Sequence, residues 1–237
     1  MYIYETHCHT AISSRCGAGS AEEVAEMYVA NGYSGIFVTD HFLNGNTTVH
    51  DVLPNGSYEE KVALYCDSYR RVKEAARRAG NGLQVFFGLE YSYRGTDLLL
   101  YGWDEEKLKR FPEILSLKTS EFIPFARERG AFVVQAHPFR ERDYIDHIRL
   151  FPGAEGTEIC NATEDERSNF LAQTYAKAYN KARTSGSDMH RPREQKELTG
   201  MAFETPLISE SDFIARVRAG EGKTVHVQNV WAQSNNR

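Results

Sequence analysis

The chain has 237 residues, of which 41 % are hydrophobic and 26 % are charged, and its formal net charge at pH 7 is −5. This size and balance predict one globular domain over residues 1–237 with a full hydrophobic core. The slight excess of acidic residues argues against a dedicated nucleic-acid surface, which requires clustered lysine and arginine.

Cysteine usage and hydropathy point to a cellular compartment. The four cysteines are widely scattered and form no CxxC pair, which gives no support for a disulfide framework. No apolar stretch approaches the length of a membrane span, and the N-terminus carries no apolar leader segment. We therefore expect a cytoplasmic protein without a membrane partner.

The first apolar run, residues 1–4, predicts a short buried strand that leads into Glu5-Thr6-His7-Cys8-His9. Side chains at positions i and i+2 of an extended segment leave from the same face. His7 and His9 can therefore point to one spot, with Cys8 turned away. Two imidazoles on one point make half of a metal shell, although an isolated pair of this kind is also common in ordinary loops.

Strand-like and helical patterns alternate along the rest of the chain. Predicted helices begin after Ser20, run over 58–78 to a stop at Gly80-Asn81-Gly82, and recur near 119–129, 171–182 and 211–219. Predicted strands follow at 35–39, 83–89, 98–101, 131–134, 156–159 and 224–227. The alternation favours a parallel sheet closed into a barrel, with a core over about 1–228 and a polar tail at 229–237. The structural rival is a doubly wound open sheet, whose phosphate-binding glycine fingerprint is missing.

Ligand-type residues stand at the ends of these predicted strands. His41, Glu90 and His137 each follow a strand directly, and Asp188 and His190 lie in a loop where a further strand would end. Each of them alone could be a turn residue or a solvated loop residue. Because the carboxyl ends of parallel strands meet at one face of a barrel, their coincidence predicts a shared site.

Together these motifs resemble the PHP family of metal-dependent phosphoesterases, named for polymerase and histidinol phosphatase domains. The matching segments are Thr6-His7-Cys8-His9-Thr10, Thr39-Asp40-His41, Gly88-Leu89-Glu90, Ala136-His137-Pro138 and Gly186-Ser187-Asp188-Met189-His190. The resemblance extends from Glu5 to about Gly220. It implies an α/β fold, a distorted TIM-like barrel of seven β/α units in a single domain, that holds two or three divalent metal ions.

The resemblance also implies a role for each residue. The expected ligands are His7, His9, Glu90 and Asp188 for the first metal, Glu90 and His137 for the second, and His41 and His190 for the third. Asp188, His190 and Glu90 are then expected to carry catalysis. Asp40 is expected to orient an imidazole from behind.

The chain departs from the family pattern at two positions. Cys16 stands in a loop where the family often has an aspartate or histidine ligand, so it is either a ligand or an ordinary loop thiol. Asp104 follows the fourth predicted strand, where the family often has a histidine, so it is either a ligand or the N-cap of a helix. Arg140, three residues after His137, could grip phosphate or be a solvated surface residue.

Mixed imidazole and carboxylate ligands suit zinc, manganese or iron better than magnesium. Such ions acidify a bound water, and we expect the resulting hydroxide to attack the phosphorus of a small phosphorylated metabolite, as in a histidinol phosphatase. Three alternatives remain: a 3′–5′ exonuclease of the same family, an amidohydrolase-type barrel that also opens with HxH, and a catalytically silent metal-binding module. A glutamate in the bridging position and the pairing of Asp188 with His190 favour the phosphoesterase over the amidohydrolase.

Overall fold

The apolar segments of the chain form one sheet. The computed structural model describes residues 1–80 and 82–234. Asn81, part of the predicted helix stop, and the last three residues of the predicted tail lie outside the described residues. Within them the strands are β1 (Tyr2–Cys8), β2 (Tyr33–Val38), β3 (Gln84–Tyr93), β4 (Thr96–Tyr101), β5 (Phe132–Gln135), β6 (Gly156–Asn161), β7 (Ala182–Gly186), β8 (Glu197–Phe203) and β9 (Lys223–Gln228).

The sheet curls into a barrel that closes at the end of β1. The strand order across the sheet is β7-β6-β5-β4-β3-β2-β1-β8-β9. Met189, which follows β7, donates its N–H to the His7 carbonyl oxygen at 3.3 Å and accepts from the His9 N–H at 2.9 Å. The predicted distorted α/β barrel is therefore confirmed, with nine strands in the described part of the chain instead of seven.

The sheet is mixed, which the prediction of a parallel sheet missed. β3 and β4 are joined by Arg94 and Gly95 into an antiparallel hairpin. Both turn residues have positive φ, 51° and 79°, as a two-residue turn between twisted strands requires. Arginine is not the usual residue in such a turn, so the sequence did not predict a hairpin here. As a result, β4 begins at the rim where β3 ends and finishes at the opposite rim.

β8 was also absent from the prediction. It pairs antiparallel with both β1 and β9. Gly200 in its centre weakens the strand signal, because glycine is depleted in strands. The glycine is required here, since a Cβ at this position would lie 2.6 Å from the Tyr4 carbonyl oxygen.

The helices surround the sheet. They are α1 (Ala21–Ala30), α2 (Val49–Val52), α3 (Tyr58–Tyr65), α4 (Asp67–Ala79), α5 (Glu105–Arg110), α6 (Thr119–Glu128), α7 (Glu166–Ala178), α8 (Glu210–Arg218) and α9 (Val230–Ser234), with a 3₁₀ turn at Pro112–Leu115. Ser20 and Glu23 form the expected capping box at the start of α1. None of the described helices combines the length and the apolar character that crossing a lipid bilayer requires.

The long helix predicted over 58–78 is divided at Cys66 into α3 and α4. The Tyr65 carbonyl oxygen accepts hydrogen bonds from the hydroxyls of Ser13 at 3.0 Å and Ser68 at 3.1 Å. Side chains that take a backbone carbonyl in this way interrupt the helical ladder. One of the two donors belongs to a loop 52 residues earlier, so local periodicity could not reveal the break.

An aromatic cluster lies against the strand segment that leads to His7. Phe37 of β2, Tyr101 of β4 and Phe213 of α8 are fully buried and pack with ring centroids 4.5 to 5.4 Å apart. Tyr101 Oη donates to the Thr6 carbonyl oxygen at 2.7 Å. The packed core therefore holds the backbone next to His7 in a defined position.

Candidate metal centre

Seven of the predicted site residues come together at one end of the barrel. They form three overlapping groups, in each of which the possible ligand atoms lie within 4.8 Å of one another. The groups are His7, His9 and Asp188; His7, Glu90 and His137; and His9, His41 and His190. Because His7 and His9 each belong to two groups, the side chains make one continuous assembly, which we call the histidine–carboxylate cluster.

The strand directions explain this convergence. β1, β2 and β3 run parallel, so residues at their carboxyl ends share one rim. His7 and His9 alternate with Cys8, which turns away into the apolar core beneath α1. His41, just past β2, pairs in register with Glu90 of β3. The order of elements along the chain thus places these residues side by side.

The shortest distances lie around His7 and His9. Their two Nε2 atoms are 3.2 Å apart, and Asp188 Oδ1 lies 3.4 Å from the first and 3.2 Å from the second. Glu90 approaches the same point, with Oε1 3.3 Å from His7 Nε2 and Oε2 3.4 Å from His9 Nε2. All four side chains are buried.

Hydrogen bonds on the far side of each ring orient these imidazoles. His7 Nδ1 lies 3.1 Å from Glu158 Oε1, and an ionised carboxylate only accepts, so Nδ1 is the donor. His9 Nδ1 lies 3.0 Å from Ser14 Oγ, which donates its own hydrogen to Asp40 Oδ1 at 2.6 Å. This Nδ1 is therefore a donor as well. Asp40, the predicted supporting residue, acts on His9 through the Ser14 hydroxyl.

The result is a buried point surrounded by acceptors. When both rings are neutral, the Nε2 lone pairs of His7 and His9 face the carboxylates of Asp188 and Glu90 with no hydrogen between them. Within residues 1–80 and 82–234, Asp188 Oδ1 has no hydrogen-bond partner, and Glu90 Oε2 faces only imidazole nitrogens, His41 Nδ1 at 2.7 Å and His9 Nε2 at 3.4 Å. Burial without a partner is costly for such atoms, and a cation would satisfy all of them. The mixed nitrogen and oxygen donors fit zinc, manganese or iron.

The shifted pKa values of Glu90, Asp188 and His7 agree with this arrangement of charges. Burial alone would raise the pKa values of Glu90 and Asp188, but the neighbouring histidines, together with Arg140 beside Asp188, hold both well below their ordinary values. Burial alone would lower the pKa of His7, but the carboxylates of Asp188, Glu158 and Glu90 raise it well above its ordinary value. A proton on His7 therefore competes with a cation, so metal affinity should fall in acid.

Asp104 lies apart from the cluster. It is exposed, and its carboxylate accepts from the Lys107 N–H at 2.8 Å as the N-cap of α5. Asp104 is thus a helix N-cap, the second of its two predicted roles. It lies away from the cluster because β4 is antiparallel to β3 and ends at the opposite rim. The start of β4 brings Asp97 to the cluster instead. Asp97 is buried, with Oδ2 3.8 Å from His137 Nε2.

Asp104→Ala should therefore destabilise the fold without removing a bound ion. Loss of an N-cap costs about 1 kcal/mol, and this lowers the melting temperature by about 2–4 °C in a chain of this size. Asp104→Asn, which retains a good capping side chain, should melt like the unchanged protein. Loss of metal from Asp104→Asn, measured by elemental analysis, would show that the residue is a ligand.

Glu158 is a site residue that sequence reasoning missed, because it lies inside the predicted strand 156–159 and not at its end. Its side chain is buried and both oxygens accept hydrogen bonds. Oε1 faces His7 Nδ1, and Oε2 accepts from the His137 N–H at 3.0 Å and from Asn161 Nδ2 at 2.9 Å. A carboxylate in a strand that is otherwise buried was the signal that could have revealed it.

Glu158→Gln should weaken metal binding by roughly 10–100-fold, the usual effect of removing a group that orients a ligand histidine. The amide replaces one of the two accepting oxygens with a donor, so either His7 or His137 loses its partner. Calorimetric titration with zinc measures the change. Glu155, three residues before Glu158, pairs with Arg218 at the surface. Glu155→Gln is therefore the matched control and should bind zinc normally.

Arg140 is neither solvated nor free. Its side chain is 13 % exposed, and Nε donates to Glu164 Oε1 at 2.6 Å. Nη2 donates to Thr163 Oγ1 at 3.0 Å and to Asp188 Oδ2. The guanidinium therefore fixes the second oxygen of Asp188 and leaves Oδ1 facing the two histidines. Contact between Arg140 and a phosphate stays a prediction.

Cys16 is half-buried at the mouth of the cluster. Burial raises the pKa of its thiol, but the contacts with the His190 and His41 rings outweigh burial and lower the pKa to about 6. These two rings are partly exposed, 24 % for His190 and 13 % for His41. His41 and His190 are thus the partly exposed residues of the cluster, and they mark its mouth.

Three solved structures share the architecture of this chain. A protein from Bifidobacterium adolescentis, provisionally described as a metal-dependent phosphoesterase, superimposes with a TM-score of 0.57 at 14 % identity over 91 % of this chain and 96 % of that one. PsfC from Pseudomonas syringae gives 0.55 at 15 % identity over 95 % and 90 % of the two chains. An amidohydrolase from Chromobacterium violaceum, with bound sulfate and no metal, gives 0.53 at 14 % identity over 92 % and 96 %.

The chain has the distorted barrel fold of these proteins. No protein-family model and no curated protein matches it. At these identities the similarity establishes the fold alone, and membership of the PHP family stays a prediction. The histidine–carboxylate cluster provides the further argument about chemistry.

Proposed function

We propose that this chain is a metal-dependent phosphoesterase that hydrolyses a small phosphorylated metabolite. The observation that carries the proposal is the buried point at which the Nε2 atoms of His7 and His9 meet the carboxylates of Asp188 and Glu90. Two or three ions of zinc, manganese or iron at this cluster would acidify a water and neutralise charge on a phosphate. The fold shared with a protein described as a phosphoesterase supports the same assignment.

The chain contributes by holding each ligand in place. His7, His9 and Asp188 would hold one ion, and Glu90 faces His7 and His137 with one oxygen and His9 and His41 with the other. That arrangement suits a carboxylate shared between neighbouring ions. Asp97 lies beside His137, and we propose Asp97 in place of Asp104 as the additional ligand of the ion that His137 would hold.

The substrate would approach from the partly exposed side, past His41 and His190. Arg140 holds Asp188 by one oxygen, and this keeps the other turned toward the histidines. In this proposal Asp188, Glu90 and His190 are the catalytic residues, because they would hold ions that neutralise charge on the phosphate. Orientation of this kind lowers the barrier by fixing the reacting groups in advance.

A small ester fits better than a nucleic acid. Arginines in the loops that follow β1 and β5 are paired with carboxylates: Arg15 with Asp51, Arg142 with Glu164 and Arg149 with Asp146. Pairing leaves little positive charge for the repeated phosphates of a polynucleotide.

Phosphate release from a panel of phosphomonoesters, including p-nitrophenyl phosphate, tests the proposal. Metal-free protein should be inactive, and added manganese, zinc or iron should restore turnover. Parallel assays on cyclic amides and on labelled single-stranded DNA test the amidohydrolase, whose fold is also shared, and the exonuclease. Turnover of either of these with phosphomonoesters untouched would overturn the proposal. Full metal loading without any turnover would favour a silent binding module.

A further inference from the structure

Asn229 opens the segment predicted to be a polar tail, and its side chain is fully buried. Its Nδ2 donates to the carbonyl oxygens of Pro192 at 3.0 Å and Gln195 at 2.8 Å. Its Oδ1 accepts from Asn31 Nδ2 at 2.9 Å and from the Ala232 N–H at 3.1 Å. The two donor and two acceptor positions of this amide are therefore all used inside the protein.

The bonds from Nδ2 hold one short segment, residues 191–196, which directly follows His190 and which we call the clamped turn. The carbonyl oxygen of Lys196, at the end of this turn, also accepts from the Asn229 N–H, at 2.8 Å. Three carbonyl oxygens of the clamped turn thus accept hydrogen bonds from a single buried residue. Since a buried carbonyl group without a donor is costly, the turn is fixed in this position.

Gln195 connects the clamped turn to the histidine–carboxylate cluster. Its Nε2 donates to the Ser187 carbonyl oxygen at 2.8 Å, in the peptide group that leads into Asp188. The Ser187 hydroxyl donates to the Thr199 carbonyl oxygen at 2.9 Å and accepts from the Thr199 N–H at 2.8 Å. Ser187 is thus held through its side chain by β8 and through its carbonyl group by Gln195.

The backbone of Asp188 depends on such support. Its φ is 49°, in the left-handed region, and a residue other than glycine keeps such a conformation only where the surrounding contacts impose it. The Ala18 N–H holds the His190 carbonyl oxygen at 2.7 Å on one side of this segment. On the other side the segment continues without a break into the clamped turn. The positions of the Asp188 carboxylate and the His190 ring therefore depend on that turn.

We propose that Gln195 and Asn229 are positioning residues of the metal centre, which act through the clamped turn on Asp188 and His190. Residues that orient metal ligands from behind commonly change metal affinity by about 10–100-fold when they are replaced. Asn229 lies beyond Gly220, where the resemblance to the PHP family ends. The inference rests on the cation centre of the proposed function and not on its substrate.

Calorimetric titration of the metal-free protein with zinc tests the proposal. Gln195→Met keeps the length of the side chain and removes the donor to the Ser187 carbonyl oxygen without adding a charge. Asn229→Leu similarly removes both donors to the clamped turn. Each variant should bind zinc roughly 10-fold or more weakly than the unchanged protein.

Two controls separate positioning from general loss of stability. Glu194→Gln alters an exposed pair with Arg191 within the clamped turn, and it should bind zinc normally. Val217→Ala removes buried side-chain atoms from α8, which carries no residue of the cluster. It should lower the melting temperature and leave zinc affinity unchanged, because titration is carried out well below that temperature.

Unchanged zinc affinity in a folded Gln195→Met protein overturns the proposal, and so does an equal loss of affinity in Val217→Ala. Circular dichroism of each variant checks the fold, and Gln195→Met decides the test if Asn229→Leu does not fold. The two proposals fail separately. Weakened zinc binding in both variants, with no phosphomonoester turnover by the unchanged protein, would remove the proposed function alone. Turnover by the unchanged protein, with normal zinc binding in both variants, would remove the positioning role alone.

Discussion

Asp188→Asn is expected to lower kcat/KM for phosphomonoester hydrolysis by roughly 10²–10⁴-fold, because a catalytic ion contributes several kcal/mol of charge stabilisation. Asp188 Oδ1 lies 3.4 Å from His7 Nε2 and 3.2 Å from His9 Nε2, and Oδ2 accepts from Arg140. Among the described residues, Asp188 is also the only aspartate in the three ligand groups. Removing its charge leaves Glu90 as the remaining carboxylate that faces both histidines, and Arg140 keeps only Glu164 as an anionic partner.

Asparagine is the right replacement because the backbone at this position is unusual. Asp188 has φ of 49°, in the left-handed region that asparagine tolerates and alanine does not. The variant therefore keeps the shape and removes the charge. Asp51→Asn, which breaks an exposed pair with Arg15, is the control and should retain activity. Normal metal content together with normal turnover in Asp188→Asn would contradict the assignment of this residue.

Divalent ions are expected to raise the melting temperature of metal-free protein strongly. A ligand at about 1,000 times its dissociation constant stabilises the folded state by about 4 kcal/mol. At about 2–4 °C per kcal/mol for a chain of this length, the shift is about 8–16 °C. The physical reason is that Glu90, Glu158 and Asp188 are buried together, and a divalent ion adds positive charge to that provided by the neighbouring histidines and Arg140. Differential scanning calorimetry with zinc or manganese measures the shift.

The size of this shift should increase with pH. The raised pKa of His7 means that its proton stabilises the metal-free fold below the ordinary histidine range and that this stabilisation is lost as pH rises through the folded-state value. Metal binding requires the deprotonated ring, so the metal-bound fold gains as the metal-free fold weakens. A shift that is independent of pH, or equal in Asp188→Asn and the unchanged protein, would contradict a centre built on His7 and Asp188.

The strand ends were the part of this protein that the sequence predicted well. His41 and Glu90 follow apolar runs, and the parallel course of β1, β2 and β3 brings them to the rim of His7 and His9. His137 reaches the same rim because two antiparallel pairings return β5 to the direction of β3. The reasoning required only that consecutive strands be neighbours, which is the common case. It succeeded where the chain obeys that rule.

It failed where the chain reverses. The Arg94-Gly95 turn carries none of the residue pairs that usually mark a tight hairpin, so β4 was treated as another parallel strand. Asp104 was therefore offered as a possible ligand, and Asp97, at the other end of the same strand, was overlooked. Ser14 could not be predicted for a different reason. Its role depends on Asp40, 26 positions later in the chain, which only the fold brings near.

The closure of the barrel has a consequence for folding. The Ser187 N–H donates to Glu5 Oε1 across 182 positions of the chain, and the neighbouring bond from the Met189 N–H to the His7 carbonyl oxygen has the same span. Contacts this remote in sequence form late, since loop closure must be completed before they contribute. A divalent ion therefore cannot nucleate this fold as it does in a zinc finger. It can only lock a barrel that has already assembled, and refolding rates should be insensitive to metal while unfolding rates fall.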